Sequence, residues 1–254
     1  VDISGQAALV TGGASGLGEA VARELARRGA KVAVFDVNAE GAARVAAEIG
    51  GTGHACDITD TASVTAALDA ASAAHGPARI VMNIAGIGGA KRVIARDGSA
   101  APLEDFERIV RVNLIGTYNV IRLAAARMAV LDPREDGERG VLLCTASVAA
   151  FDGQVGQEAY SASKGGIVAM TLPLARDLAQ WGIRVCTIAP GLFLTPLLHQ
   201  LPEDVQKALA ASIPFPRRLG KPEEFASLAI QVITNTSLNG EVIRLDGALR
   251  MAPR

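Results

Sequence analysis

The segment from Ala7 to Asp36 restricts the fold more than any other part of the 254-residue chain. A short apolar run, A-A-L-V-T, leads into the glycine-rich turn Gly12–Gly18. An amphipathic stretch from about Glu19 to Arg28 follows, with Gly29 placed as a helix stop. A second apolar run, K-V-A-V-F-D, ends at Asp36. Strand, glycine turn, helix and strand in roughly thirty residues predict a βαβ unit. Such a unit pairs its strands in parallel, so the sheet needs helices on its faces. Glycines at this turn let the backbone approach a pyrophosphate, and the helix start offers free N–H groups and a positive dipole end.

The same alternation runs through the rest of the chain. Helical patterns cover Ala39–Ile49, about Thr61 to Ala74, Leu103 to about Val130, Glu158 to Ala179 and Pro222 to Ile233. Apolar runs at His54–Cys56, Arg79–Gly86, Val141–Ala146, Ile183–Ala189 and 241–247 complete a set of seven strands. The expected architecture is α/β: one Rossmann-like domain over residues 1–254, with a doubly wound, parallel, seven-stranded sheet. Gly88–Ala101 is long enough to lie over a site rather than only connect elements, and 192–219 is a second such segment. Pro173 predicts a bend or break in the helix that contains it. Asn113 is an indifferent helix-interior residue, which leaves open a polar task or a plain surface position.

Half of the residues are hydrophobic, a fifth are charged, and the formal net charge is −1. That composition excludes a basic nucleic-acid binder and a disordered acidic chain. No apolar stretch is long enough for a membrane span. The strand pattern starts almost at the first residue, so the expectation is a protein without a signal or transit peptide, most simply cytoplasmic in a bacterium, or in the mitochondrial matrix if such a peptide was removed. Cys56, Cys144 and Cys186 have no metal-ligand spacing and fall in apolar runs, and His54, His75 and His199 are scattered. Metal chemistry is therefore not expected.

Chemistry concentrates in Ser147–Gly166. Tyr160 and Lys164 stand at i and i+4, on one face of a helix with Cβ atoms ~5–6 Å apart. A cation one turn from a phenol favours the phenolate, so a lowered Tyr160 pKa is expected. Ser147 follows an apolar run, which places its hydroxyl at a strand end, where open α/β sheets bind ligands. Hydroxyl, phenol and ammonium together suit proton transfer to or from an alcohol oxygen. Tyr-x-x-x-Lys also arises by chance in helices, so the surrounding chain must support it. Asp36, at the end of the second strand with no Arg or Lys beside it, can accept from both ribose hydroxyls and repels a 2′-phosphate, which favours NAD over NADP. It can also serve as a cap for the next helix at Asn38.

These residues together resemble the short-chain dehydrogenases/reductases along the whole chain. The matching features are T-G-G-A-S-G-L-G, Asp36, C-D-I at Cys56–Ile58, N-I-A-G from Asn83, Asn113, Ser147, Y-S-A-S-K and P-G at Pro190. Ile84 departs from the family's usual second asparagine. Most of the chain, most densely after Val141, closely resembles the type II 3-hydroxyacyl-CoA dehydrogenase branch, which overlaps with NAD-dependent hydroxysteroid dehydrogenases.

The resemblance implies roles. Tyr160 would be the general base for alcohol oxidation, Lys164 would lower its pKa and hold the nicotinamide ribose, Ser147 would orient the substrate oxygen, and Asn113 would anchor a water beside Lys164. NAD would lie along Gly12, Ser15, Gly16, Leu17, Gly18 and Asp36. Asp57, Ile58, Asn83, Ile84, Ala85 and Gly86 would form its middle wall. Pro190, Gly191, Phe193 and Thr195 would close the nicotinamide end. Gln154 would touch substrate together with Ser147 and Tyr160. The implied partners are a small acyl-CoA or related ketone or alcohol and a homotetramer of the chain itself.

Two other enzyme readings stay open, a 3-oxoacyl-carrier-protein reductase, which usually draws on NADPH and is opposed by Asp36, and a hydroxysteroid dehydrogenase. A cofactor-binding scaffold is a third. Lys91, Arg92, Arg96, Arg217 and Arg218 suit a CoA phosphate as well as an acidic carrier protein and so do not decide between them, and ordinary solvated surface is the simpler reading.

Overall fold

The computed structural model describes residues 1–253. Its strands are β1 (Ala7–Thr11), β2 (Lys31–Asp36), β3 (Thr52–Ala55), β4 (Ile80–Asn83), β5 (Gly140–Thr145), β6 (Ile183–Pro190) and β7 (Val242–Leu245). They form a seven-stranded sheet in the order β3-β2-β1-β4-β5-β6-β7, and every pairing is parallel. The helices are α1 (Gly16–Arg27), α2 (Ala39–Ile49), α3 (Thr61–His75), α4 (Leu103–Val110), α5 (Thr117–Met128), α6 (Glu158–Leu178), α7 (Pro196–His199), α8 (Glu203–Ala211) and α9 (Pro222–Thr234). The expected α/β sheet is present.

Alternation along the strands divides the core into two layers. Ala8, Val10, Val32, Val34, Ile80, Met82, Val141 and Leu143 pack against Val21 and Leu25 of α1 and Phe225 and Ile230 of α9. Leu9, Ala33, Phe35, Val81, Leu142 and Cys144 point to the other face, against Val64 and Leu68 of α3, Ile121 and Met128 of α5 and Ile167 of α6. All three cysteines are buried, as small apolar residues would be.

The local differences from expectation have identifiable causes. The third strand lies slightly earlier than its apolar run, at Thr52–Ala55, because Ala33–Asp36 of β2 pairs there. The fourth stops at Asn83, and Ile84–Gly86 leave the sheet. The long helix expected from Leu103 to Val130 is two helices joined by a π-helical turn, Arg111–Gly116, with Asn113 inside it. The 197–219 segment is largely helical, as α7 and α8. The helix carrying Pro173 does not break, since α6 runs without interruption from Glu158 to Leu178. Ala169, whose carbonyl loses its N–H partner at Pro173, lies on the solvent side together with Pro173. On the inner side, the Thr171 hydroxyl joins Thr187 of β6 and donates to the Ile167 carbonyl.

Candidate active site

The chain leaves β1 toward β2 and β3 in one direction, and returns to β4 on the opposite side of β1. Connections therefore diverge at the C-terminal ends of β1 and β4, where a crevice opens in a sheet of this kind. A cavity of about 640 Å³ lies there.

Glycines shape its first wall. Gly12 has φ 67° and lies so close to the segment after β4 that a Cβ on it would sit 2.8 Å from the Ala85 Cα. A Cβ on Gly18 would meet the Gly12 carbonyl at 2.0 Å. Only a bare backbone gives this turn, and it brings the start of α1 to the cavity. The N–H groups of Gly16, Leu17 and Gly18 have no intrahelical partner there. Thr11 braces the opposite wall, its hydroxyl accepting from the N–H groups of Ile84 (3.1 Å) and Ala85 (3.2 Å). The Asp36 carboxylate accepts from Ala14 N (3.1 Å) and Asn38 N (2.9 Å). The cap of α2 is Asn38 itself, accepting from Gly41 N, so Asp36 is tied to the glycine turn rather than spent on that helix. Such a cradle of free N–H groups beside a carboxylate, in a long cleft, suits a dinucleotide.

The second wall carries Tyr160 and Lys164, with Ser147 directly after the wall residues Thr145 and Ala146 but not itself lining the cavity. Ser147 is the N-cap of a single 3-10 turn, Val148–Ala150, and its Oγ accepts from Ala149 N at 3.1 Å. Tyr160 and Lys164 share one face of α6, with the ammonium 5.9 Å from the centre of the Tyr160 ring. Lys164 is 4% exposed, and its Nζ donates to the Thr145 carbonyl at 2.8 Å. Burial lowers its pKa to about 8. Burial also raises the Tyr160 phenol, which the Ser147 hydroxyl partly opposes. The Tyr160 pKa is therefore raised, not lowered as the spacing with Lys164 led one to expect, because desolvation of the phenolate dominates.

Asn113 is fully buried by the π turn. Its amide accepts from Ile87 N (2.8 Å) and donates to Ile87 O (2.9 Å) and Ser163 Oγ (3.1 Å). Ser163 in turn donates to the Tyr160 carbonyl at 2.8 Å. The Thr117 hydroxyl donates to the Asn113 backbone carbonyl. Of the two readings of Asn113, the surface one is excluded. A Cβ on Gly86 would lie 3.1 Å from Asn113 Oδ1 and 3.4 Å from Lys164 Nζ, so that glycine keeps the space between them open.

Of the sequence-expected cofactor residues, Gly12, Ser15, Gly16, Leu17, Gly18, Asp36, Asp57 and Ile58 line the cavity. So do Ile84, Ala85, Gly86, Tyr160, Lys164, Pro190 and Thr195. Three expected residues do not. Asn83 is buried behind the wall, its amide donating to the Leu143 carbonyl. Gly191 backs onto Asp246, whose Cβ would lie 2.9 Å from a Cβ placed on the glycine. Phe193 is a core residue, 5% exposed and packed edge-on against Phe225 at 6.3 Å. Gln154, expected at the substrate, donates its side-chain amide to the Ala252 carbonyl instead. Residues not singled out from sequence also line the cavity, among them Thr145, Ala146, Val112, Arg108 and Arg111. Arg108 and Val112 stand four apart, so a helix through this segment places both on one face. Thr145 and Ala146 follow from the strand end that delivers Ser147.

Fold and site together define an oxidoreductase that works with a nicotinamide cofactor. The chain belongs to the short chain dehydrogenase family, whose model matches residues 6–206. It is 52% identical to the 3-hydroxyacyl-CoA dehydrogenase type-2 of Drosophila melanogaster over 99% of this chain and 100% of that one. The crystal structure of 3-hydroxyacyl-CoA dehydrogenase type-2 from Mycobacterium avium superposes with a TM-score of 0.94 at 45% identity, covering 98% of each chain. A 3-ketoacyl-(acyl-carrier-protein) reductase from Brucella melitensis, complexed with NADH, gives 0.87 at 35% identity, covering 98% of this chain and 100% of that one.

The buried lysine makes a pH-dependent prediction. Its folded-state pKa of about 8 lies below the ordinary 10.5, so the unfolded chain binds more protons between these values and stability rises with pH across that window. Burying the charged form at neutral pH costs roughly 3 kcal/mol on this basis. Lys164→Met removes that cost, while the hydrogen bond to Thr145 is lost at every pH. Relative to wild type, the variant is expected to be most favoured at pH 7, with the difference shifting against it as pH rises toward 10.5. Urea unfolding of both proteins at matched pH checks this, and comparing the pair cancels the raised Tyr160 and cysteine groups. A difference independent of pH would refute it.

Proposed function

We propose that this protein is an NAD-dependent dehydrogenase that interconverts (S)-3-hydroxyacyl-CoA and 3-oxoacyl-CoA. The observation that carries the substrate class is identity over essentially the whole chain to 3-hydroxyacyl-CoA dehydrogenases type-2, 52% against 35% for the carrier-protein reductase neighbour. That reductase is complexed with NADH, so cofactor preference does not by itself separate the two readings. Asp36 supports NAD over NADP, because a 2′-phosphate would approach a carboxylate that is held by the N–H groups of Ala14 and Asn38 and forms no salt bridge among the described residues.

In this reading the Tyr160 hydroxyl exchanges the proton of the substrate alcohol, with Ser147 Oγ as second hydrogen-bond partner to the same oxygen. When bound, the nicotinamide ring accepts or donates the hydride. Lys164 holds the cofactor ribose with the protons not given to Thr145, and its charge favours the phenolate as substrate and cofactor exclude water. The gap kept by Gly86 between Lys164 and Asn113 suits a water that passes the proton onward. Asn113 fixes the post-β4 loop and, through Ser163, the start of α6.

A homotetramer is proposed on the family resemblance. Phe106 on α4, Ile115 on the π turn, Tyr118 on α5 and Leu172 on α6 are exposed apolar groups that a partner would cover. Sedimentation showing a monomer at micromolar concentration would exclude it.

The substrate assignment is tested by steady-state rates on acetoacetyl-CoA, its carrier-protein thioester and a ketosteroid, each with NADH and NADPH. The CoA thioester with NADH is expected to give the highest kcat/KM. Tyr160→Phe should lower kcat by at least ~10²-fold while NADH still binds. A faster carrier-protein substrate would replace the proposed activity with the reductase. Asp36→Ala should weaken NADH binding and narrow the preference over NADPH; an unchanged ratio would remove Asp36 from cofactor selection.

A further inference from the structure

Ser147 and Tyr160 lie at the two ends of one loop, which runs from the 3-10 turn at Val148–Ala150 to the start of α6 at Glu158. Their relative position depends on how that loop is held. Asp152 N donates to the Val148 carbonyl, and Lys91 N donates to the Gly156 carbonyl at 2.7 Å, but these bonds tie only the loop's ends. The side chains of its first two residues, Phe151 and Asp152, are held from β7. Arg244 donates one guanidinium N–H to Asp152 Oδ2 at 2.6 Å, and its plane lies 5.0 Å from the centre of the Phe151 ring. The same guanidinium donates through Nε to Asp246 Oδ2 at 2.7 Å and through Nη2 to the Leu249 carbonyl at 3.0 Å.

Asp246 packs against Gly191, directly after Pro190 in the cavity wall. Leu249 is 1% exposed and anchors the segment after β7, which reaches the loop again through Ala252 to Gln154 Nε2 (2.9 Å) and Pro253 to Val155 N (3.0 Å). One fork thus ties the loop between the two proton-transfer residues to the turn under the nicotinamide end. Nothing in the chemistry calls on this arginine directly, and it does not line the cavity.

We infer that Arg244 is a positioning residue, which sets the Ser147–Tyr160 geometry by clamping the Phe151–Gln157 loop to β7. Both of its carboxylate partners are mostly buried, with side-chain exposures of 19% for Asp152 and 8% for Asp246. A planar fork satisfies two such carboxylates and a carbonyl at once, which an ammonium does not. The inference rests on the roles given above to Ser147 and Tyr160.

The test compares wild type, Arg244→Gln, Arg244→Lys and Asp152→Asn in kcat, KM, pH profile and NADH dissociation constant by fluorescence, with Tyr160→Phe alongside. Arg244→Gln should lower kcat roughly tenfold or more, the scale of a small misplacement of reacting groups, with NADH binding unchanged. Its pH–rate curve for oxidation should move to higher pH, because a displaced Ser147 no longer opposes the burial-raised phenol. Lys164, the other titrating group facing Tyr160, is untouched by the change. Arg244→Lys should recover part of the rate, and Asp152→Asn, which leaves the Asp246 arm intact, should shift the profile in the same direction. An unchanged kcat and profile in Arg244→Gln would overturn the inference. So would a loss of NADH affinity in step with kcat, which marks a general loss of structure. If Arg244→Gln does not fold, Asp152→Asn decides by the same criteria. Full turnover in Tyr160→Phe would instead overturn the assigned chemistry, whatever Arg244 does.

Discussion

A buried ammonium with a single protein acceptor governs the arrangement of this site. Lys164 gives up hydration for one hydrogen bond, to the Thr145 carbonyl. Burial of that kind is unfavourable unless other groups complete the shell. The architecture brings those groups within reach. The end of β5 supplies the carbonyl, Gly86 leaves the ammonium open toward the post-β4 loop, and α6 places the phenol one turn away. The stability lost by burying the charge is recovered as function only when a polar ligand occupies the crevice.

Desolvation is the reason a pairwise view of Tyr160 and Lys164 fails. Spacing alone suggests mutual stabilisation of phenolate and ammonium. In the folded chain each group is instead pushed toward its neutral form. Lys164 then sits nearer to proton exchange than it would in water, whereas the Tyr160 phenol sits farther from it until the local field changes on ligand binding.

The parts of the molecule that follow local periodicity were readable from the chain. The seven strands showed as apolar runs, the turn by its glycines, and the placement of Tyr160 on a helix by a 3.6-residue pattern. What was not readable depended on tertiary contacts. Whether Phe193 faces cofactor or core is decided by Phe225, more than thirty positions away in α9. Gln154 is claimed by a backbone carbonyl almost at the other end of the chain. Pro173 is tolerated because the carbonyl it orphans faces water, which no propensity scale encodes. The π turn likewise has no composition signal; it exists because the Asn113 amide matches both backbone groups of Ile87.

That wide turn has a consequence for the surface as well. An α-helix advances about 100° per residue, so an extra residue in one turn rotates everything downstream relative to what precedes it. Phe106 upstream and Tyr118 downstream are both solvent-facing, while Val120 and Ile121 are sealed into the core. The outer and inner faces of the two helices are thereby phased independently, so one continuous rod can present an apolar ridge outward and still turn a carboxamide inward.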